Sequence, residues 1–258
     1  QAMRAIDLVK PIEELAPLHE QEKWDNCGFS VGDPFKEVSK ALVALDCTEE
    51  VVDEAIECGA DIIITHHPLI FGGVKNSITP SRRINLTGLV YKAVQHNIAI
   101  YAAHTNMDKA AGGVSCAMAD KLGLQEREFL TPDNFGVIGM LPEPAGAEEL
   151  VGKIKDAFGV DVVRCSKLLE EKITRVAVCG GSGKSFIAEA MAKGAQVYVT
   201  GDISYHEFYA EKGFMLMDIG HYSSEYGIVD VFANILSKNF PNFAVSISKR
   251  NYNPIYYH

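Results

Sequence analysis

Residues 59–73 read GADIIITHHPLIFGG, a short β-branched run that stops at two adjacent histidines and a proline. The continuous apolar run Ile62, Ile63, Ile64 is the pattern of a strand buried on both faces, and Pro68 forbids further ladder pairing. His66 and His67 are therefore placed where a strand ends. In open α/β sheets the crevice beyond the carboxyl ends of the strands is where ligands bind, and imidazole is the commonest metal-binding side chain. A lone histidine beside a strand is more often an ordinary hydrogen-bonded residue. The doublet gains weight from two further clusters at the ends of predicted elements: His104 with Asp108 in HTNMD, and His221 with Glu225 in HYSSE.

Working outward, ALVALD, TEEVVDEAIECG and ADIIITHHP read as strand, helix and strand, with Thr48 as N-cap and Gly59 as the helix stop. The glycine-rich loop IFGGVKNSIT follows, then a helical stretch INLTGLVYKAVQHN and a second apolar strand, IAIYAAH, that also ends in histidine. A helix runs from Val114 to Leu122. Before this core, Ile6 to Leu18 has helical spacing, with Pro11 and Pro17 limiting its extent. EKWDNCGFSVGD reads as a structured loop leading into a short strand, with Trp24 as a packing anchor and Asp25 and Asn26 within reach of a site.

A second strand–helix–strand unit appears at RVAVCGGSGKS, FIAEAMAKG and AQVYVTGD. Set under the first with a constant offset, GADIIITHH falls over GAQVYVTGD: Gly59 on Gly194, Ala60 on Ala195, Thr65 on Thr200. This is the mark of an internal duplication. The expected fold class is α/β, with two similar layered halves built on mixed sheets. Residues 1–127 with 235–258 form the first half, carrying most of the candidate ligands, and residues 128–234 form the second. In the second half the histidine pair is replaced by Gly201 and Asp202. FMLMDIGH is a further apolar strand ending in histidine. SSEYGIVDVFANILSK is an amphipathic helix with Ile228, Phe232 and Ile235 on one face, and FAVSIS is the last strand.

With 258 residues and 47% hydrophobic composition, the chain is long enough for a substantial core. A net charge of -10 argues against a protein that grips a nucleic-acid backbone, which needs a basic face. No apolar run approaches the ~20 residues of a membrane span, and no charged-then-apolar leader is seen, so the cytoplasm is the expected location. The six cysteines are widely scattered without a CxxC pair, which speaks against disulfides and a thiolate zinc site.

Imidazoles at His66, His67, His104 and His221 with carboxylates at Asp108 and Glu225 make a mixed nitrogen and oxygen donor set. Zinc, manganese, iron or nickel take such a set, whereas magnesium and calcium prefer oxygen alone. The set suffices for two divalent ions if one carboxylate bridges, and a two-metal site suits hydrolysis. CGGSGKS resembles a phosphate-binding loop, but that motif needs glycine where this chain has Val178; a tight turn or an accessory anion contact is the better reading. Asp202 and His206 in TGDISYH repeat the four-residue spacing. They read either as substrate-facing groups or as an ordinary helix-start carboxylate and a surface histidine.

Taken together, WDNCGFSVG, ITHHPLIF, AAHTNMD, CGGSG, TGDISYH and GHYSSE, in this order, resemble the Nif-three-like family, also called GTP cyclohydrolase I type 2 homologues. The likeness runs from Ile6 onward. It implies a two-domain α/β fold with a dinuclear metal centre, commonly in a hexameric toroid. It also implies that His67 and Asp108 hold one ion, His66 and His221 the other, and Glu225 bridges them. His104 would stand close by as a shell residue or proton carrier, the candidate general acid or base. The resulting expectation is a cytoplasmic, homohexameric, metal-dependent hydrolase of a nucleotide-like or other small substrate. The alternative is a non-catalytic metal-binding oligomeric interaction or metal-handling protein.

Overall fold

The computed structural model describes residues 2–71 and 86–258. The predicted loop after Phe71, and Ile84 and Asn85 at the start of the predicted helix, lie outside the described residues. In chain order the first elements are β1 (Met3–Arg4), α1 (Ala5–Leu15), β2 (Gly28–Val31), β3 (Glu37–Val38), β4 (Lys40–Ala44), α2 (Glu49–Cys58), β5 (Ile62–Thr65), α3 (Leu86–Gln95), β6 (Ala99–Ala102) and α4 (Thr105–Asp108). There follow α5 (Val114–Lys121), β7 (Gln125–Phe129), β8 (Val137–Ala145), α6 (Ala147–Phe158), β9 (Arg164–Cys165), β10 (Ile173–Ser182), α7 (Ile187–Ala192), β11 (Val197–Gly201), β12 (Met215–Asp218) and α8 (His221–Glu225). The chain closes with α9 (Ile228–Asn239) and β13 (Ala244–Ile247).

The fold is mixed α/β and falls into two compact units, Gln1–Ala110 with Ile228–His258, and Ala111–Gly227. The sequence placed the divisions near residues 128 and 235. They fall earlier because α5 lends Met118 and Ala119 to the core of the second unit, while α9 begins at Ile228 and packs on α1 in the first. What reads in sequence as one helix through SSEYGIVDVF is thus two, α8 and α9, parted at Gly227. The buried face of α9 is Ile228, Val229, Phe232 and Leu236, with Ile235 only partly covered. Pro11 also sits inside α1 rather than limiting it. It forfeits one backbone bond, while Leu8, Val9 and Ile12 gain full burial on one face.

The first unit is built on a five-stranded sheet of order β13-β4-β5-β6-β2, parallel except for the antiparallel edge β2; β1 and β3 form a separate antiparallel pair. All four residues of β5 are buried, as the apolar run predicts. The second unit has a six-stranded sheet, β7-β8-β10-β11-β12-β9, with β10, β11 and β12 parallel and the rest antiparallel. Among the described residues no helix is long and apolar enough to cross a membrane.

The duplication extends to individual hydrogen bonds. Thr48 caps α2 by accepting from Val51 N, and the helix stops at Gly59 in the left-handed region, φ 73°, as the residue there must bend the chain back. Gly194 does the same at φ 80°. Ala60 N donates to Ala55 O and Ala195 N to Ala190 O. Below the sheets, Asp61 accepts from the amides of Ser39 and Lys40, and Gln196 from those of Thr174 and Arg175. Even the cation is repeated: Lys40 Nζ reaches Cys58 O and Arg175 Nε reaches Lys193 O, both at 2.9 Å.

Candidate metal centre

In the first unit, β5 ends at Thr65 and the chain turns. Thr65 Oγ1 donates to His67 O at 2.8 Å, and His67 N donates to Leu45 O at 3.0 Å. The His66 ring is wholly buried, with Nδ1 2.8 Å from Ala103 O. A carbonyl only accepts, so Nδ1 carries the proton and Nε2 presents a lone pair. That nitrogen stands 3.4 Å from Asp108 Oδ1, a buried oxygen that accepts no hydrogen bond among the described residues. A lone pair facing a carboxylate oxygen is repulsive until a proton or a cation lies between them.

His67 is held in the same sense: Nδ1 is 2.7 Å from Asp46 Oδ1. His104, the N-cap of α4, places Nδ1 2.9 Å from Asp25 Oδ1. Asp25 also accepts from Thr105 N at 3.1 Å and Thr105 Oγ1 at 2.6 Å. Burial works against its charge, but the bonds from His104 and Thr105 outweigh that and hold its pKa well below the usual carboxylate range. Burial, with the Asp25 charge alongside, pushes the neighbouring Cys27 thiol up to about 12. The three imidazoles gather with centroids 5.0 to 5.2 Å apart, His104 edge-on to both His66 and His67, and offer ligand atoms within 4.8 Å of one another. Trp24 and Phe71, both exposed, approach His104 with centroids at 6.0 Å.

The second unit supplies its histidine from a helix. In α8, His221 Nε2 lies 2.9 Å from Glu225 Oε2, the four-residue spacing putting both on one face, and Nδ1 lies 2.7 Å from Asp202 Oδ2. Burial opposes a charge on His221, but Glu225 and Asp202 together raise its pKa to about 9. Asp202 itself sits at φ 54°. His206 is not part of this group; it is exposed, in a turn of 3-10 helix, with its edge against Tyr205.

The CGGSG stretch belongs to this cluster and not to a phosphate site. A Cβ on Gly181, φ 70°, would lie 2.5 Å from Glu225 Oε1, and one on Gly180 would strike Val114. Their amides are already committed, Gly181 N to Ser224 Oγ at 2.8 Å and Gly180 N to Ser115 Oγ at 3.3 Å. The following segment is a 3-10 turn, Lys184–Phe186. These glycines therefore let the carboxylate of Glu225 lie against backbone.

Of the residues picked from sequence, His66, His67, His104 and Asp108 come together in the first unit, and His221, Glu225 and Asp202 in the second. Asp46 was missed. Its only trace in the sequence is that it, too, stands at the end of a strand, in ALVALD. Buried imidazole and carboxylate groups of this kind fit a divalent transition-metal ion: each histidine proton is fixed on the far nitrogen by an oxygen acceptor, the arrangement that orients metal-ligating histidines.

The sequence matches the profile of the Duf34/NIF3 (NGG1p interacting factor 3) family over residues 3–254. It is 35% identical to a Clostridium perfringens protein named GTP cyclohydrolase 1 type 2 homolog, over 88% of each chain. It is 36% identical to a Streptococcus pneumoniae protein of the same name, covering 92% of this chain and 91% of the other. Among solved structures, a Bacillus cereus protein related to NIF3 superposes with a TM-score of 0.89 at 26% identity, over 99% of both chains.

Proposed function

The chain belongs to the Duf34/NIF3 family, and on that premise we propose that it is a dinuclear metal-dependent hydrolase acting on a nucleotide-like or other small substrate. The observation that carries the reading is the gathering of His66, His67 and His104, whose ligand atoms lie within 4.8 Å of one another, with Asp108 Oδ1 3.4 Å from His66 Nε2. The proposed ligands are His67 and Asp108 for one ion, His66 and His221 for the other, and Glu225 for both. Zinc, manganese, iron or nickel suits these donors. Such ions supply Lewis acidity and lower the pKa of water.

The chain's own residues do the rest. Asp46 and the Ala103 carbonyl fix the rings of His67 and His66 so that each Nε2 is the donor. His104, held by Asp25 at Nδ1, keeps Nε2 available to take a proton and return it to a leaving group. The name shared by the relatives makes GTP the first substrate to try. The proposal includes a cytoplasmic homohexamer, with no membrane or nucleic acid as partner.

Metal per chain, by elemental analysis, is the first test, followed by hydrolysis assays on GTP and phosphoesters with and without chelator. About two ions per chain and chelator-sensitive turnover, both reduced in Glu225→Gln, are expected. No metal after incubation with zinc, manganese or iron overturns the reading. Two ions with no turnover on any substrate moves it to a non-catalytic metal-handling protein.

A further inference from the structure

Residues 244–251 return to the first unit and reach the turn that lies behind His67. β13 pairs in parallel with β4 as far as Ile247 and Val43, and Ser248 N adds one more bond to Val43 O at 2.8 Å. There the strand stops; just past the end of β4 the chain bends through Leu45 and Asp46, whose amides lie beyond the last rung of the β13–β4 ladder. The side chain of Asn251 takes the place of the missing rung. Its Oδ1 accepts from Leu45 N at 2.7 Å and from Asp46 N at 3.1 Å, and the residue is buried.

The two residues held in this way are the two that hold His67. Leu45 O accepts the backbone amide of His67, and Asp46 Oδ1 fixes its ring nitrogen. The tail is pinned separately by Glu54, which accepts from Ser248 Oγ, from Lys249 N at 2.8 Å and from Arg250 N at 3.3 Å, and by the ion pair of Arg250 with Glu57. Glu54 and Glu57 lie on α2, the crossover helix of the strand that carries the histidines.

We propose that Asn251 is a positioning residue for the metal centre: it fixes the Leu45–Asp46 turn, and through Asp46 it sets the tautomer and direction of His67. The inference rests on the metal reading above and adds to it a dependence of the site on the docked C-terminal tail. Asn251 touches neither ligand atom nor substrate. It acts through two backbone amides, and its loss frees the Asp46 carboxylate to turn away from His67 Nδ1.

The test uses the full-length chain. In the metal-free protein, the ¹⁵N signals of the His67 ring report the proportion of the Nδ1–H form; zinc affinity is then measured by competition with a chromophoric chelator, and thermal unfolding is recorded on the same samples. Asn251→Ala is expected to mix the His67 tautomers and to weaken zinc binding about 10-fold, the lower end of the loss seen when an outer partner of a metal ligand is removed. Glu54→Gln, which loosens the tail without touching either amide, is expected to move both readouts in the same direction by less, and serves if the alanine variant folds poorly. Reduced thermal stability with an unchanged His67 signal and unchanged zinc affinity overturns the proposal. His67→Ala separates the two readings: if it leaves zinc affinity unchanged, His67 is not a metal ligand and the metal reading fails, while the tautomer readout on Asn251→Ala still decides the role of Asn251.

Discussion

Thr65-His66-His67 in the first unit and Thr200-Gly201-Asp202 in the second stand at the same place in the same strand–helix–strand frame, yet one end carries two imidazoles and the other none. The frames agree down to the hydrogen bonds beyond them: Ala103 N donates to Thr65 O and Ile219 N to Thr200 O, both at 3.0 Å. The difference lies in what passes over the strand end. In the second unit the start of α8 and the CGGSG turn come so close that a Cβ on Gly201 would be 2.8 Å from His221 N and 2.9 Å from Gly181 O. No side chain fits there, and the histidine comes instead from the helix above. Asp202, in the place of His67, has become the group that orients it. One frame thus yields histidine and orienting carboxylate in opposite assignments: strand histidine with Asp46 behind it, or helix histidine with strand Asp202 behind it.

Restoring the first unit's residue to the second is the severest way to break this comparison. Gly201→His would push against main chain that cannot yield, and a loss of about 3 kcal/mol or more in urea unfolding is expected. A variant as stable as the parent would mean that the close approach of α8 is not what excludes a side chain. Next in size, Asp46→Ala and Asp202→Ala remove the two orienting carboxylates. Each is expected to lower zinc affinity by roughly 10- to 100-fold in chelator competition, with little change in stability. A large effect from one and none from the other would show that the two assignments are not equivalent.

The smallest effect concerns a group with no counterpart in the second unit. The pKa of Asp25 is lowered on folding, so its contribution to stability is present above the unfolded carboxylate value, about 4, and is lost as pH falls through the folded value. Asp25→Asn should therefore cost stability at pH 7 and flatten the fall below about pH 4 in a stability titration. If parent and variant lose stability in parallel there, the His104 and Thr105 bonds do not hold Asp25 ionised.

The strand-end histidines were legible because a buried parallel strand writes its own pattern, and the apolar run of Ile62 to Ile64 has few other readings. The duplication was legible for a similar reason, since the glycine stops at Gly59 and Gly194 are demanded by backbone shape. The groups behind the histidines were not. Asp46 and Asn251 come to His67 from the neighbouring strand and from the far end of the chain, and no local spacing encodes such meetings. The glycines of CGGSG read as a tight turn or an accessory anion contact, and what they admit is the carboxylate of Glu225, because close approach of a carboxylate and of a phosphate ask the same thing of the sequence. The unit boundaries were set too late because the allegiance of α5 depends on the sheet it covers, which is made from residues that follow it.

The pairing of β13 with β4 also has a consequence for the order of events as the chain is made. Domains emerging from the ribosome tend to fold as units, the amino-terminal part first. Here the second unit is contiguous and can complete its sheet once Gly227 has emerged, whereas the first must keep the edge of β4 open until β13 arrives. An unpaired parallel edge is a hazard in a nascent chain. The strand that closes the edge of β4 is thus separated from it in sequence by the whole of the second unit, so the first unit completes its sheet after the second.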